Sequence, residues 1–225
     1  MSLGTIAVDQ VKEEGLYLIY GQAGTGKTSI ANYLAVDGKT AVITFDKSHS
    51  VLLDGMKAGA IEVLTLDTRT DFLEANYQNT LNSIQQATQG FKYVIFDNLS
   101  ALEYELTADP VKTYHIKDGR QAWQMFQNEM FYLCQLAIEL DAICFATAWE
   151  IQGQNDFGMP IAKPQLNHKV AGIFAGMAQA VMRTKVQDGA YLLECDPSSE
   201  EYYGKNRKNK VYSFQSADIL QFLAN

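Results

Sequence analysis

Five short runs, at residues 16–20, 41–45, 61–66, 93–96 and 142–148, are mostly apolar and bounded by turn residues. Runs of this kind predict strands covered on both faces, as in parallel sheets. Helical periodicity intervenes. Over residues 121–140, Trp123, Phe126, Met130, Cys134 and Ala137 recur at helical intervals opposite a Gln/Asn/Glu-rich face, which predicts an amphipathic helix. A second helix is expected over about 71–88, with Leu73, Tyr77, Leu81 and Ile84 on one face, and a third should begin near Lys27. Strands alternating with helices imply a mainly parallel sheet with right-handed crossovers. After residue 175 the pattern changes to short runs at 178–183, 191–195 and 211–214, separated by Gly- and Ser-containing turns, and antiparallel strands are predicted there. The four prolines, at 110, 160, 164 and 197, fall in stretches that read as loops. No repeat, low-complexity tract or linker interrupts the chain, so residues 1–225 are expected to form one α/β domain.

Composition narrows the class. Hydrophobic residues are 47% and charged residues 20% of the chain, as in ordinary globular proteins. The sequence has no apolar run long enough to span a bilayer and no basic-then-apolar N-terminus, which predicts a cytoplasmic protein without a membrane partner. Cys134, Cys144 and Cys195 are far apart within apolar patterns, and His49, His115 and His168 are scattered. Reduced core thiols are expected, with any metal arriving alongside a ligand. The net charge of −8 argues against a uniformly basic, nucleic-acid-coating surface. Its distribution is uneven: residues 1–110 carry 7 Lys/Arg against 14 Asp/Glu, and residues 111–225 carry 11 against 12.

The strongest chemical signal directly follows the first strand. Gly21-Gln22-Ala23-Gly24-Thr25-Gly26-Lys27-Thr28, with Ser29 next, fits the phosphate-loop spacing G-x-x-x-x-G-K-[ST]. The glycines let backbone N–H groups turn inward around phosphates, at the start of a helix whose positive dipole end adds to the attraction. Lys27 supplies a point charge for the terminal phosphates and Thr28 a hydroxyl for Mg²⁺, a hard cation that prefers oxygen. Asp97, ending the apolar run 93–96, is the second expected Mg²⁺ residue. ATP and Mg²⁺ are therefore the expected ligands. Two expected loops combine cations and aromatics as single-stranded nucleic acid binding requires: about 107–120, with Lys112, Tyr114, His115, Lys117 and Arg120, and about 151–168, with Phe157, Lys163 and His168.

Phe96-Asp97-Asn98-Leu99-Ser100-Ala101-Leu102 resembles the second nucleotide motif of RecA-type recombinases. The later order is also similar: a long helix with Trp123, a strand ending Ala146-Thr147-Ala148-Trp149-Glu150, a loop, then strands and a basic motif. The chain is most similar to the short RecA-like nucleotide-binding and single-strand annealing proteins of bacteriophages, over roughly residues 14–214. The resemblance implies a RecA-like P-loop NTPase fold, a mainly parallel central sheet flanked by helices with C-terminal antiparallel strands. It also implies a protein acting on single-stranded DNA in recombination, annealing or repair. In that family a glutamate after the second strand orients the attacking water; here Ser48 occupies that place, in Phe45-Asp46-Lys47-Ser48-His49. Loss of a positioned base costs about 10²–10⁴ in rate, so hydrolysis is expected to be slow unless Asp46 or Glu150 substitutes beside Lys27. By the same resemblance, Thr147, Trp149 and Glu150 fall where the γ-phosphate is sensed. Lys205 and Arg207, in the basic run Gly204-Lys205-Asn206-Arg207-Lys208-Asn209-Lys210, fall where a neighbouring subunit's ATP is contacted in a ring or filament. Against such an assembly, only about 14 residues precede the first strand. Two other readings fit the phosphate loop: a small-molecule phosphotransferase, for whose lid only Arg69, Arg120, Arg183 and Arg207 are available, and a weakly hydrolysing switch or assembly module.

Overall fold

A computed structural model describes residues 15–46, 48–66, 77–155 and 157–224. In chain order its strands are β1 (Leu16–Gly21), β2 (Thr40–Thr44), β3 (Ile61–Thr65), β4 (Tyr93–Asp97), β5 (Ile143–Gln154), β6 (Pro160–Pro164), β7 (Ala180–Gln187), β8 (Ala190–Glu194), β9 (Lys205–Asn206) and β10 (Ser213–Gln215). The α-helices are α1 (Ile30–Leu34), α2 (Leu53–Lys57), α3 (Tyr77–Ala87), α4 (Leu99–Thr107), α5 (Pro110–Thr113), α6 (Gly119–Glu139), α7 (His168–Met177) and α8 (Ile219–Ala224).

The strand order is β10-β8-β7-β1-β5-β4-β2-β3, with β6 against β5 and β9 against β7. From β7 to β3 every pairing is parallel, whereas β8, β9 and β10 run antiparallel at one side. This is the mainly parallel α/β sheet with C-terminal antiparallel strands that the sequence pattern predicts. Side chains alternate across a strand, and β1 shows the result. Leu16, Leu18 and Tyr20 enter a core with α4, α6 and α7, while Tyr17 and Ile19 enter a second core with α1 and α8. Two cores, one on each face, bury β1 along its whole length, which is why it reads as an unbroken apolar run. The three cysteines are buried free thiols, and burial pushes Cys134 and Cys195 up to about 12.

Several expectations are corrected. Residues 151–168 are not a long loop: β5 continues to Gln154 and turns back as β6, pairing Glu150 with Pro164 and Gln154 with Pro160. Proline is tolerated at both ends of β6 because the backbone nitrogens of residues 160, 162 and 164 face away from β5, that of Ala162 donating to the Glu201 carbonyl on the other side. The hairpin's base is fixed to the sheet by Tyr20, whose hydroxyl meets the carbonyls of Ala162 (3.0 Å) and Tyr203 (2.9 Å). A helix unforeseen from the pattern, α7, follows; Asn167 caps it by accepting from Lys169 N–H, and Val170, Phe174 and Ala175 are its buried face. Pro110 is likewise helical, at the first turn of α5, where its missing N–H is no loss. Residues 71–76 of the second expected helix, with Leu73, lie outside the described residues, as does Arg69. The stripe on α6 also differs in detail. Trp123 is 39% exposed, and Glu129, from the polar composition, is buried with Tyr114 Oη donating to its Oε2 at 2.5 Å. Among the described residues no helix is long and apolar enough to cross a membrane.

Candidate nucleotide site

The phosphate loop leaves β1 at Gly21, at the carboxyl end of the parallel strands, where open α/β sheets bind ligands. Gly24 and Gly26 adopt φ of 77° and 89°, values that side chains resist. Thr25 fastens the loop sideways: its Oγ1 donates to the Gln22 carbonyl at 2.7 Å and lies 2.6 Å from Thr184 Oγ1 on β7. Lys27 folds back across the loop, Nζ donating to the carbonyls of Gly21 (2.9 Å) and Gln22 (2.7 Å). Only 8% of Lys27 is exposed. Burial lowers its pKa, against the opposing pull of Asp97, Asp46 and Glu150.

Asp97 ends β4 with 2% exposure. Thr28 Oγ1 donates to its Oδ2 at 2.7 Å and Thr147 Oγ1 to its Oδ1. Burial raises the Asp97 pKa, and the two threonine hydrogen bonds oppose that rise. Asn98, joined to Asp97 by a cis peptide, caps α4 by accepting from Ala101 N–H at 2.8 Å, and its Nδ2 donates to Asp46 Oδ2 at 2.8 Å. Asp46 in turn accepts from both the backbone N–H and the hydroxyl of Ser48. One chain of contacts therefore runs from Ser48 through Asp46 and Asn98 to the carboxyl end of β4. These residues line a pocket of about 350 Å³ together with Ala23, Gly24, Gly26, Lys27, Ser29, Val51, Trp149 and Tyr191.

The donor set fits a magnesium-bound nucleoside triphosphate. A buried lysine would supply the cation for phosphates, and a threonine hydroxyl hydrogen-bonded to a buried carboxylate would supply oxygens for the metal, beside two glycines with left-handed φ. Among the described residues no cluster of three His, Cys, Asp or Glu side chains could hold a metal alone. A family model described as an AAA domain matches residues 14–208. The chain belongs to this AAA-domain family. The AAA domain is a P-loop, nucleotide-binding ATPase domain, and its match covers the phosphate loop, β4 and the sheet on both sides of them. No curated protein matches the chain.

The AAA domain gathers some predicted residues and disperses others. Lys27, Thr28, Ser29, Asp46 and Asp97 meet in the pocket. Glu150 does not line it. Arg183 on β7 donates from Nε to Glu150 Oε2 at 2.8 Å and from Nη2 to Oε1 at 3.0 Å, and the Glu150 side chain is 2% exposed. Its contact with the phosphate loop is Gln22 Nε2, 3.4 Å from Oε1. Lys205 and Arg207 do not line the pocket either. Lys205 Nζ meets the carbonyls of Ala175 and Gly176 at the end of α7, and burial with the nearby Arg207 charge brings its pKa down to about 8. Arg207 is exposed.

Of the nucleic-acid candidates, Lys112, Lys117, Arg120 and Lys163 are exposed, and Phe157, at the hairpin tip, is 90% exposed. Tyr114 is a correction: only 3% exposed, it is held in the core by its hydrogen bond to Glu129. Arg120 opens onto a broad surface groove of about 800 Å³, between the first three turns of α6 and the first turn of α7, with Asp118, Trp123, Gln124, Gln127, Asn128 and Lys169. Lys169 Nζ donates to Gln127 Oε1 at 3.2 Å across it. The helical stripe in the sequence places Trp123 in the core, and nothing in the pattern marks Lys169, because α7 is not legible there. Tyr191 and Asn98 were also missed in the pocket. An Asn directly after a strand-ending Asp and before an apolar helix is a helix-cap signal; nothing comparable in the sequence points to Tyr191.

Proposed function

We propose that this AAA domain is a RecA-like, Mg²⁺-dependent ATPase of phage type that acts on single-stranded DNA in recombination, annealing or repair. Lys27, the loop N–H groups and Ser29 would hold the phosphates, with Thr28 and Asp97 facing the metal. Bound Mg²⁺ would supply charge neutralisation at the phosphates. Asp46 is the carboxylate available to position water, because it stands on the pocket wall next to Asp97. Glu150 is held instead by Arg183.

The observation that carries the DNA reading is the groove at the starts of α6 and α7. It combines an exposed indole, Trp123, with the cations of Arg120 and Lys169, three side-chain amides and one carboxylate, Asp118, which caps α6 by accepting from Arg120 N–H. Stacking faces plus phosphate-seeking cations are the requirements of single-strand binding, and bases of any identity can use them. The test is fluorescence anisotropy of a labelled single-stranded oligonucleotide, with and without Mg²⁺-ATP, over a range of salt. Binding should tighten with Mg²⁺-ATP and weaken with salt. Trp123→Ala should weaken it by about 1–3 kcal/mol, and Lys27→Ala should remove the ATP effect. Absence of binding at low salt would refute the DNA reading.

Ser48 favours a second reading, a slow nucleotide switch. An exposed hydroxyl donating to Asp46 cannot act as the missing base. Steady-state turnover that single-stranded DNA does not raise would support the switch over the recombination ATPase.

A further inference from the structure

Tyr191 forms the side of the pocket opposite Asp97, and nothing in the phosphate-loop chemistry gives it a task. It stands on β8 just after the two-residue turn Asp188-Gly189, with φ of 51° and 79°, a pair of left-handed residues suited to a tight hairpin. That turn sets the register at Val186 opposite Tyr191. The ring lies against the phosphate loop: a β-carbon at Gly26 would meet Tyr191 Cδ1 at 3.1 Å and Cε1 at 3.6 Å. Yet 45% of the residue remains exposed. Its aromatic surface is thus half seated on the loop backbone and half open at the mouth of the pocket.

We propose that Tyr191 is the platform on which the nucleobase stacks, an assignment that rests on the nucleotide reading above. Sheet order gives the direction. β4, with Asp97, lies two strands from β1 on one side, and β8, with Tyr191, two strands from it on the other. At about 4.8 Å per strand, the two strands are roughly 20 Å apart, and the Tyr191 ring reaches back from β8 to Gly26 at the phosphate loop. Phosphates held by Lys27 with the metal at Thr28 and Asp97 leave the base to extend towards β8. The Thr25–Thr184 contact holds the intervening loop against β7. An aromatic ring there offers its face to a purine or pyrimidine without reading its edge.

Inorganic tripolyphosphate separates this role from loop support, since it has the phosphates of ATP and no base. Calorimetric titration of the whole chain with Mg²⁺-ATP and with Mg²⁺-tripolyphosphate should show that Tyr191→Ala weakens ATP about tenfold or more, leaves tripolyphosphate unchanged, and that Tyr191→Phe restores ATP affinity. Equal losses for both ligands, or no loss for ATP, would overturn the proposal. Lys27→Ala tests the underlying reading separately: if it weakens neither ligand, the nucleotide site itself is wrong.

Discussion

Replacing Arg183 by methionine isolates the pair that holds Glu150. The change keeps much of the aliphatic stem and removes two charge-assisted hydrogen bonds, of 2.8 and 3.0 Å. The carboxylate left behind is 2% exposed, and its remaining partners are the amides of Gln22 and Gln152, each at 3.4 Å. Breaking a buried pair from one side costs about 3–5 kcal/mol. Arg183 is 17% exposed, so water can reach part of the vacated site and the lower end, about 3 kcal/mol, is expected. In a domain of this size that lowers Tm by roughly 6–12 °C. Arg183→Met with Glu150→Leu should recover most of the loss, because the unpaired buried charge is then gone and an apolar pair of similar volume is often neutral. Urea denaturation of the wild type, both single variants and the double variant forms the cycle. Near-equal midpoints for wild type and Arg183→Met, at unchanged denaturant slope, would refute the reasoning and make the pair a surface contact without structural weight.

Asp46→Asn should lower ATP turnover by about 10²–10⁴ while leaving Mg²⁺-ATP affinity nearly intact, whereas Glu150→Gln should lower turnover less, in single-turnover assays; the reverse order would make Glu150 the water-positioning carboxylate. Lys205 supplies a pH dependence: its pKa falls from 10.5 to about 8 on folding, so between those values the unfolded chain holds more protons and stability rises with pH. Lys205→Met should therefore flatten the stability difference between about pH 8 and 10.5 in thermal melts, and a variant whose pH profile parallels the wild type would contradict the assignment.

The parallel sheet was legible because β1, β2 and β4 are buried on both faces, and an uninterrupted apolar run leaves little else to read. The phosphate loop was legible for a different reason, since its chemistry needs glycine, lysine and threonine at fixed spacing within a few residues. What escaped was set by tertiary partners. The hairpin of β5 and β6 contains two prolines and a polar strand, locally indistinguishable from a loop; it is defined by the pairing of residues 150–154 with 160–164. The α7 pattern, with only Val170, Phe174 and Ala175 buried, is too short to stand out without the sheet beneath it. The ion pair of Glu150 is invisible in the sequence because its neighbours carry no sign of Arg183, 33 residues away. Tyr114 had the same problem, since the residue that claims it, Glu129, is on another helix.

Helix α4 joins the pocket to the groove. Its cap Asn98 is tied to Asp46; two residues on, Ser100 Oγ accepts from Trp149 N–H at 2.9 Å and donates to the Gln165 carbonyl at 2.8 Å. Glu103 then accepts the Asn167 N–H with both oxygens, at 2.7 and 2.9 Å, and burial raises the pKa of this carboxyl. Asn167 is the cap of α7, which carries Lys169 into the groove. One short helix therefore touches the residues that would face the metal at one end and the backbone that orients a groove cation at the other. A ligand that draws Thr28 and Asp97 apart would act on the start of α4, and the Glu103–Asn167 bonds would carry the strain to α7. Such a route has a thermodynamic consequence that needs no motion to be observed. If Mg²⁺-ATP tightens oligonucleotide binding by some factor, the oligonucleotide must tighten Mg²⁺-ATP binding by the same factor. Anisotropy and calorimetry on one preparation, with a non-hydrolysable ATP analogue so that both report equilibrium binding, would have to give the same factor, and a factor of one in both would refute the coupling.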